Sequence, residues 1–188
     1  MPENEQHTGE LHLLSIGWHK DYWEQVNSNY ELIDKESIKK IYRPRKLFSH
    51  KGTYGHALIF AGSFGKIGAA VLCSRACVRS GVGLLTTIIP EVGYQVIQTT
   101  VPEAMSVAYN ENDDLNKIVG KADSYSAVGI GPGIDTTDES LHILQKMLNW
   151  YHQPMIVDAD ALNLIAVHKR LITQVSKHSV FTPHPKEF

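Results

Sequence analysis

The sequence predicts an α/β fold built on a mainly parallel sheet. Three observations carry this. Short apolar runs with β-branched centres recur along the chain, as in HALIFA at residues 56–61, LLTTII at 84–89 and YSAVGI at 125–130. Stretches with apolar residues at helical spacing alternate with them. Alternation of this kind points to parallel strands joined by right-handed crossovers. Several of the runs also end abruptly in glycine, proline or aspartate clusters, where strands of such folds give way to loops.

Residues 1–8 are polar and acidic and read as disordered. LHLLSI at 11–16 reads as a strand stopped by Gly17, and residues 20–27 as a short helix broken by Asn27, Ser28 and Asn29. Asp34 suits the N-cap of a helix over 35–42, which Pro44 brings to an end. Residues 1–44 thus form a leader too poor in apolar residues to fold alone, and 45–188 form the main domain.

The main domain is organised around residues 50–83. After the 56–61 strand comes a glycine-rich turn over 62–68, then a helix over 69–80. Ala69, Leu72, Cys73, Ala76 and Ser80 line one face of that helix, with small residues nearest the sheet. Arg75 and Arg79 oppose its dipole, and Gly81 suits its C-terminal stop. A strand at 84–89 is stopped by Pro90, and a helix over 91–99 follows. Next come a strand at 105–109, a weak helix at 113–119 and the 125–130 strand, which ends at Gly131-Pro132-Gly133. A helix over 135–151 takes Asp135 or Thr136 as its cap and puts Leu141, Leu144, Met147 and Leu148 on one face. A strand at 154–157 leads into Asp158-Ala159-Asp160-Ala161-Leu162-Asn163, with a helix over 161–167. A last strand begins at 179–181 and runs into Thr182-Pro183-His184-Pro185.

Composition narrows the function. The chain has 188 residues, 43% hydrophobic and 20% charged, and a formal charge of −2, which argues against a nucleic-acid partner or an anionic membrane surface. No apolar run approaches the roughly 20 residues of a membrane span. The acidic N-terminus does not read as a signal peptide, so the cytoplasm is the expected compartment. Cys73 and Cys77 lie one helical turn apart without further ligands at matching spacing and read as buried thiols.

Four strand ends carry unusual residues: the 62–68 loop, Gly131-Pro132-Gly133, the 158–163 segment and the 182–187 segment. In open α/β sheets ligands bind beyond the carboxyl ends of the strands, so these segments are expected on one edge. The 62–68 loop opens a helix whose first N–H groups can take an anion, although it matches neither the P-loop nor the dinucleotide fingerprint. It serves either ligand contact or strand-to-helix packing. Gly131-Pro132-Gly133 presents backbone N–H groups or is simply a turn. Asp158, Asp160 and Asn163 could hold Mg²⁺ or substrate hydroxyls or act as a base, and Asp160 also suits a helix cap. His184, fixed between two prolines, could donate a hydrogen bond or move a proton near neutral pH. Lys51 could reach phosphate or stay solvated.

These motifs, with His50-Lys51-Gly52-Thr53-Tyr54-Gly55-His56, Arg79-Ser80-Gly81-Val82-Gly83 and Pro102-Glu103-Ala104-Met105, stand between residues 50 and 188 in an order that resembles the ADP/ATP-dependent NAD(P)H-hydrate dehydratases of the ribokinase-like superfamily. The resemblance implies a three-layer ribokinase-like fold, incomplete at its C-terminal side. It implies repair of NADH or NADPH that has gained water across a ring double bond, with ATP or ADP and Mg²⁺ as cofactors. Carried over by motif, Ala69, Gly133 and His184 would contact the hydrated dinucleotide, and Asp160 and Asn163 complete the substrate-binding candidates. The family's Lys-Gly and Gly-Thr-Gly-Asp segments, the second bearing its catalytic base, have no match here, so no catalytic, nucleotide-binding or metal residue is assigned. The expectation is a substrate-side fragment with an exposed sheet edge and little or no dehydratase activity alone. The leader resembles the tail of an NAD(P)H-hydrate epimerase domain, leaving a fused or separate epimerase partner and a homo-oligomer as open readings. A ribokinase-like kinase of a vitamin precursor and a non-catalytic dinucleotide-binding fragment are the alternatives.

Overall fold

In the computed structural model, which describes residues 2–10, 12, 14, 16–27, 33–110 and 112–187, the chain divides into two compact units, Met1–Lys46 and Leu47–Phe188. The first unit holds helices α1 (Lys20–Gln25) and α2 (Lys35–Ile41). Asp34 caps α2 as expected, its carboxylate accepting the Ser37 N–H at 2.8 Å. A 3₁₀ helix at Pro2–His7 replaces the expected disordered start, and the Thr8 hydroxyl donates to the Asn4 carbonyl to close it. Half of the strand expected at 11–16 falls outside the described residues; Leu14 and Ile16 are exposed and not in a strand.

The second unit runs β1 (His56–Phe60), α3 (Ile67–Arg79), β2 (Leu84–Pro90), α4 (Tyr94–Thr100), β3 (Met105–Tyr109), α5 (Leu115–Ile118), β4 (Ala127–Ile130), α6 (Asp138–Trp150), β5 (Ile156–Val157), α7 (Ala159–Val167) and β6 (Val180–Phe181). The strands form one parallel sheet in the order β3-β2-β1-β4-β5-β6. The α/β expectation is met, with each strand within a few residues of its predicted place.

Side-chain alternation along β1 feeds two cores, as a pleated strand buried on both faces requires. Leu58 and Phe60 join Val128, Ile130, Val157 and the inner faces of α6 and α7. Ala57 and Ala61 join Leu85, Ile89 and residues of α3 and α4. Small residues at Ala57, Ala61 and Ala70 let α3 sit close to the sheet, where the buried Ser74 and Thr87 hydroxyls pair at 2.9 Å.

Topology also decides what stays uncovered. Right-handed crossovers that run outward in opposite directions from β1 and β4 place their helices on opposite faces. Within this unit, no described helix covers the other half of the face that carries α3 and α4. Ala127 and Ile156 are exposed there, and with Ile59, Cys73 and Cys77 they line an apolar groove of ≈ 390 Å³. Burial pushes both thiols up, and the charge of Asp158 adds to the effect at Cys73.

Two helix starts differ from expectation. Helix α6 is capped by Thr137, whose hydroxyl accepts the Ser140 N–H at 3.2 Å, instead of Asp135 or Thr136. Asp135 is unsuited to the role because its φ of 71° lies in the left-handed region. Helix α7 begins at Ala159, so Asp158 occupies the cap position and Asp160 the first turn. Asp158 makes no side-chain cap bond; its Oδ1 accepts the Thr182 hydroxyl at 2.8 Å. The segment expected as one helix over 91–99 starts as a 3₁₀ turn, Glu91–Gly93, before α4.

Candidate functional site

Strand order reverses between β1 and β4, and ligands of doubly wound sheets bind at that point beyond the strand ends. The strands carrying the unusual segments, β1, β4, β5 and β6, are neighbours, so all four segments lie on the carboxyl edge. Two backbone bonds join the central pair of loops. Gly62 N–H donates to Pro132 O at 2.9 Å, and Gly131 N–H donates to Phe60 O at 3.2 Å.

Gly133 sits tightly against the start of α3. A Cβ on it would lie 2.8 Å from Ala69 Cβ and 3.1 Å from Lys66 O, and its φ of +67° also favours glycine. Ala69 and Gly133, nominated separately from sequence, are therefore in contact.

Asp160 joins this group through the following residues of the same loop. Its Oδ2 accepts the Asp135 N–H at 2.9 Å and lies 3.4 Å from Lys66 Nζ. Lys66 Nζ also stands 3.6 Å from Asp135 Oδ1. The capping role expected of Asp160 is thus displaced: its carboxylate holds the Gly131–Asp135 turn and a cation instead. Asn163 lies one turn further along α7 and is half-buried. His184 is exposed; its backbone N–H donates to Glu187 Oε2 at 2.8 Å. No hydrogen bond among the described residues brings His184 to Gly133 or Asp160.

Beside this cluster the edge opens into a cleft of ≈ 250 Å³. Its walls come from the ends of β1 (Phe60, Gly62, Ser63, Phe64), β2 (Pro90, Val92), β3 (Tyr109) and β4 (Ile134, Asp135), with the first turn of α6. None of the five nominated residues lines it, because the cleft lies toward β2 and β3. Asp135 belongs to both the cleft and the ionic cluster. The Ser63 hydroxyl is buried at the cleft wall with no hydrogen-bond partner among the described residues, an arrangement that favours a polar ligand atom or a water.

Lys66, Asp135 and Ser63 are the functional candidates that the sequence reading passed over. The available signals were a lysine inside a glycine loop and an acid two residues past a Gly-Pro-Gly turn. Lys51, weighed as a phosphate contact, lies before β1 and hence at the opposite edge. Among the described residues no three His, Cys, Asp or Glu side chains gather to hold a metal, and no step below is routed through one. No described helix is long and apolar enough to cross a membrane.

A protein-family model described as NAD(P)H-hydrate dehydratase matches residues 57–188. The ADP-dependent (S)-NAD(P)H-hydrate dehydratase of Lactococcus lactis is 35% identical over 159 residues, 84% of this chain and 55% of that protein. The bifunctional NAD(P)H-hydrate repair enzyme of Escherichia coli is 34% identical over 182 residues, 96% of this chain and 33% of that protein. Among solved structures, a Streptococcus mutans protein aligns with a TM-score of 0.74 at 33% identity, covering 84% of this chain and 56% of that one. The ADP/ATP-dependent NAD(P)H-hydrate dehydratase of Bacillus subtilis, co-crystallised with ATP/Mg²⁺, aligns at 0.66 with 32% identity, covering 81% and 52%. The chain spans about half the length of the dehydratases it matches and about a third of the bifunctional enzymes.

Proposed function

The chain belongs to the NAD(P)H-hydrate dehydratase family, and from that premise we propose that its carboxyl edge binds hydrated NADH or NADPH for dehydration at the expense of ADP or ATP. Mg²⁺ would arrive with the nucleotide, held by phosphate oxygens and by waters that it keeps. The chemistry needs an activated leaving group, because hydroxide departs poorly. Phosphoryl transfer to the ring hydroxyl makes that group a phosphate. The ring nitrogen's lone pair then breaks the C–O bond, and loss of the neighbouring ring proton restores the double bond.

The observation that carries the reading is the contact of Ala69 with Gly133 at the reversal of strand order. It joins two segments that the family resemblance assigns to one ligand. The unpartnered Ser63 hydroxyl in the adjoining cleft supports the presence of a polar ligand. We assign Ala69, Gly133, Asp160 and Asn163 to that ligand's surroundings, and His184 to its outer side, reached from the β6 end. The leader, residues 1–44, is read as the tail of an epimerase domain, and the setting as the cytoplasm.

The test is titration of hydrated NADPH into the protein, followed by calorimetry, with near-UV absorbance recorded after ATP or ADP and Mg²⁺ are added. Saturable binding, tighter than that of NADPH itself, is the expected result. Return of absorbance extends the reading to full turnover and overturns the expectation of little or no activity in this chain alone. Absence of binding, or phosphorylation of a thiazole or pyrimidine alcohol instead, overturns it.

A further inference from the structure

The Lys66 side chain reaches two carboxylates from two other strand ends, Asp135 after β4 and Asp160 after β5. Its backbone meanwhile forms the wall against which Gly133 is packed. One residue of the glycine loop thus meets the turn that follows β4 at two places, Gly133 and Asp135.

That turn needs holding. Asp135 has a φ of 71°, in the left-handed region that non-glycine residues occupy only at a cost, although aspartate tolerates it better than most. Its N–H is taken by Asp160 Oδ2 at 2.9 Å, a charge-assisted bond to a carboxylate whose side chain is only 20% exposed. Two aspartates meeting there would repel each other without a cation between them. Lys66 supplies that cation, and it comes from the loop that Gly62 already ties to Pro132.

We propose that Lys66 is a positioning residue, a latch that keeps Gly133 and Asp135 in their turn by setting one positive charge between the Asp135 and Asp160 carboxylates. In an ordinary surface ion pair the lysine could be lost at little cost. The latch differs because its loss is felt at a particular backbone position, the Asp135 amide.

The experiment is hydrogen exchange on the full chain without ligand, comparing wild type with Lys66→Met, Lys66→Arg and Asp160→Ala. Asp160→Ala removes the acceptor and sets the upper limit of exchange at Asp135. Lys66→Met is expected to accelerate the Asp135 amide about tenfold, and Lys66→Arg to return it to the wild-type rate. Amides of the 51–55 segment, on the opposite edge, stay unchanged in all three. An Asp135 rate in Lys66→Met equal to wild type overturns the latch. The affinity arm rests on the function proposed above: hydrated NADPH should bind Lys66→Met about tenfold more weakly, with Lys66→Arg restored. If wild type binds no hydrated NADPH, that function fails, while the exchange arm still decides the latch.

Discussion

Strand β1 has a glycine-bearing segment at each end, and the two are packed in opposite ways. Before it, the 51–55 segment closes on backbone. Gly83 N–H donates to Tyr54 O at 3.1 Å, Leu84 N–H donates to Gly55 O at 3.0 Å, and a Cβ on Gly83 would fall 1.6 Å from Lys51 O. After it, the 62–68 loop stays open. Cβ atoms on Gly65 and Gly68 would meet nothing within 4 Å, and charged groups face one another across the gap. Gly83 serves at the first end to let main chains touch; at the second Gly62 is packed against Ala70 and Ile67, and Gly65 and Gly68 leave room. The same residue type therefore signals packing or ligand access according to which end of a parallel strand carries it.

The largest effect expected from this contrast belongs to Gly83→Ala. The added methyl overlaps a backbone carbonyl that cannot swing aside, so a loss of roughly 3 kcal/mol in urea unfolding is expected. A stability within experimental error of wild type breaks the contrast at its packed end. Gly133→Ala comes next and reads differently. Its methyl meets Ala69 Cβ at 2.8 Å at the open end, so the fold survives with about 1–2 kcal/mol lost. Binding of hydrated NADPH should fall by about a hundredfold. A variant that binds as wild type does removes Gly133 from the site.

Gly68→Ala sharpens the comparison. This glycine lies in the first turn of α3 with open space around it. Alanine there should raise stability by about 0.5–1 kcal/mol, since it is the better helix former. The same methyl would crowd a ligand resting on the helix start, so affinity should drop as stability rises. If both rise together, the open space has no ligand in it.

The smallest effect concerns pH at the packed end. His56 donates or accepts at 2.8 Å with the Thr86 hydroxyl and lies 4.5 Å from the Tyr125 ring. Burial holds its imidazole below the ordinary value of 6.5. The unfolded chain therefore takes up this proton more readily than the folded one. Its contribution to stability is complete above about pH 6.5 and declines as pH falls below it. Tm should drop slightly between about pH 7 and about pH 5, and His56→Gln should flatten that part of the profile. An unchanged profile in the variant assigns the acid loss to other groups.

Much of this was legible in the sequence, and the reasons are local. Strands 56–61 and 84–89 announce themselves by β-branched apolar runs bounded by glycine or proline, and Asp34 by its place before a helix. What the sequence left unread is long-range. Asp135 and Asp160 both looked like helix caps because capping is the usual use of an aspartate before a helix. Only the parallel pairing of β4 with β5 shows that Asp160 serves the Asp135 amide instead. Lys66 stands out only as a lysine inside a glycine loop; its partners lie 69 and 94 residues away in sequence and come close only at the sheet edge. His184 was read correctly to a strand end, but β6 stands two places out from β4, beyond the reach of the central cluster's hydrogen bonds.

The most direct test is amide hydrogen exchange of the full chain with and without hydrated NADPH. Protection is expected at the 62–69 and 131–135 segments and nowhere in the 51–55 segment. Protection confined to the 51–55 segment, or none at either end of β1 at saturating ligand, would contradict the assignment of the carboxyl edge as the binding site.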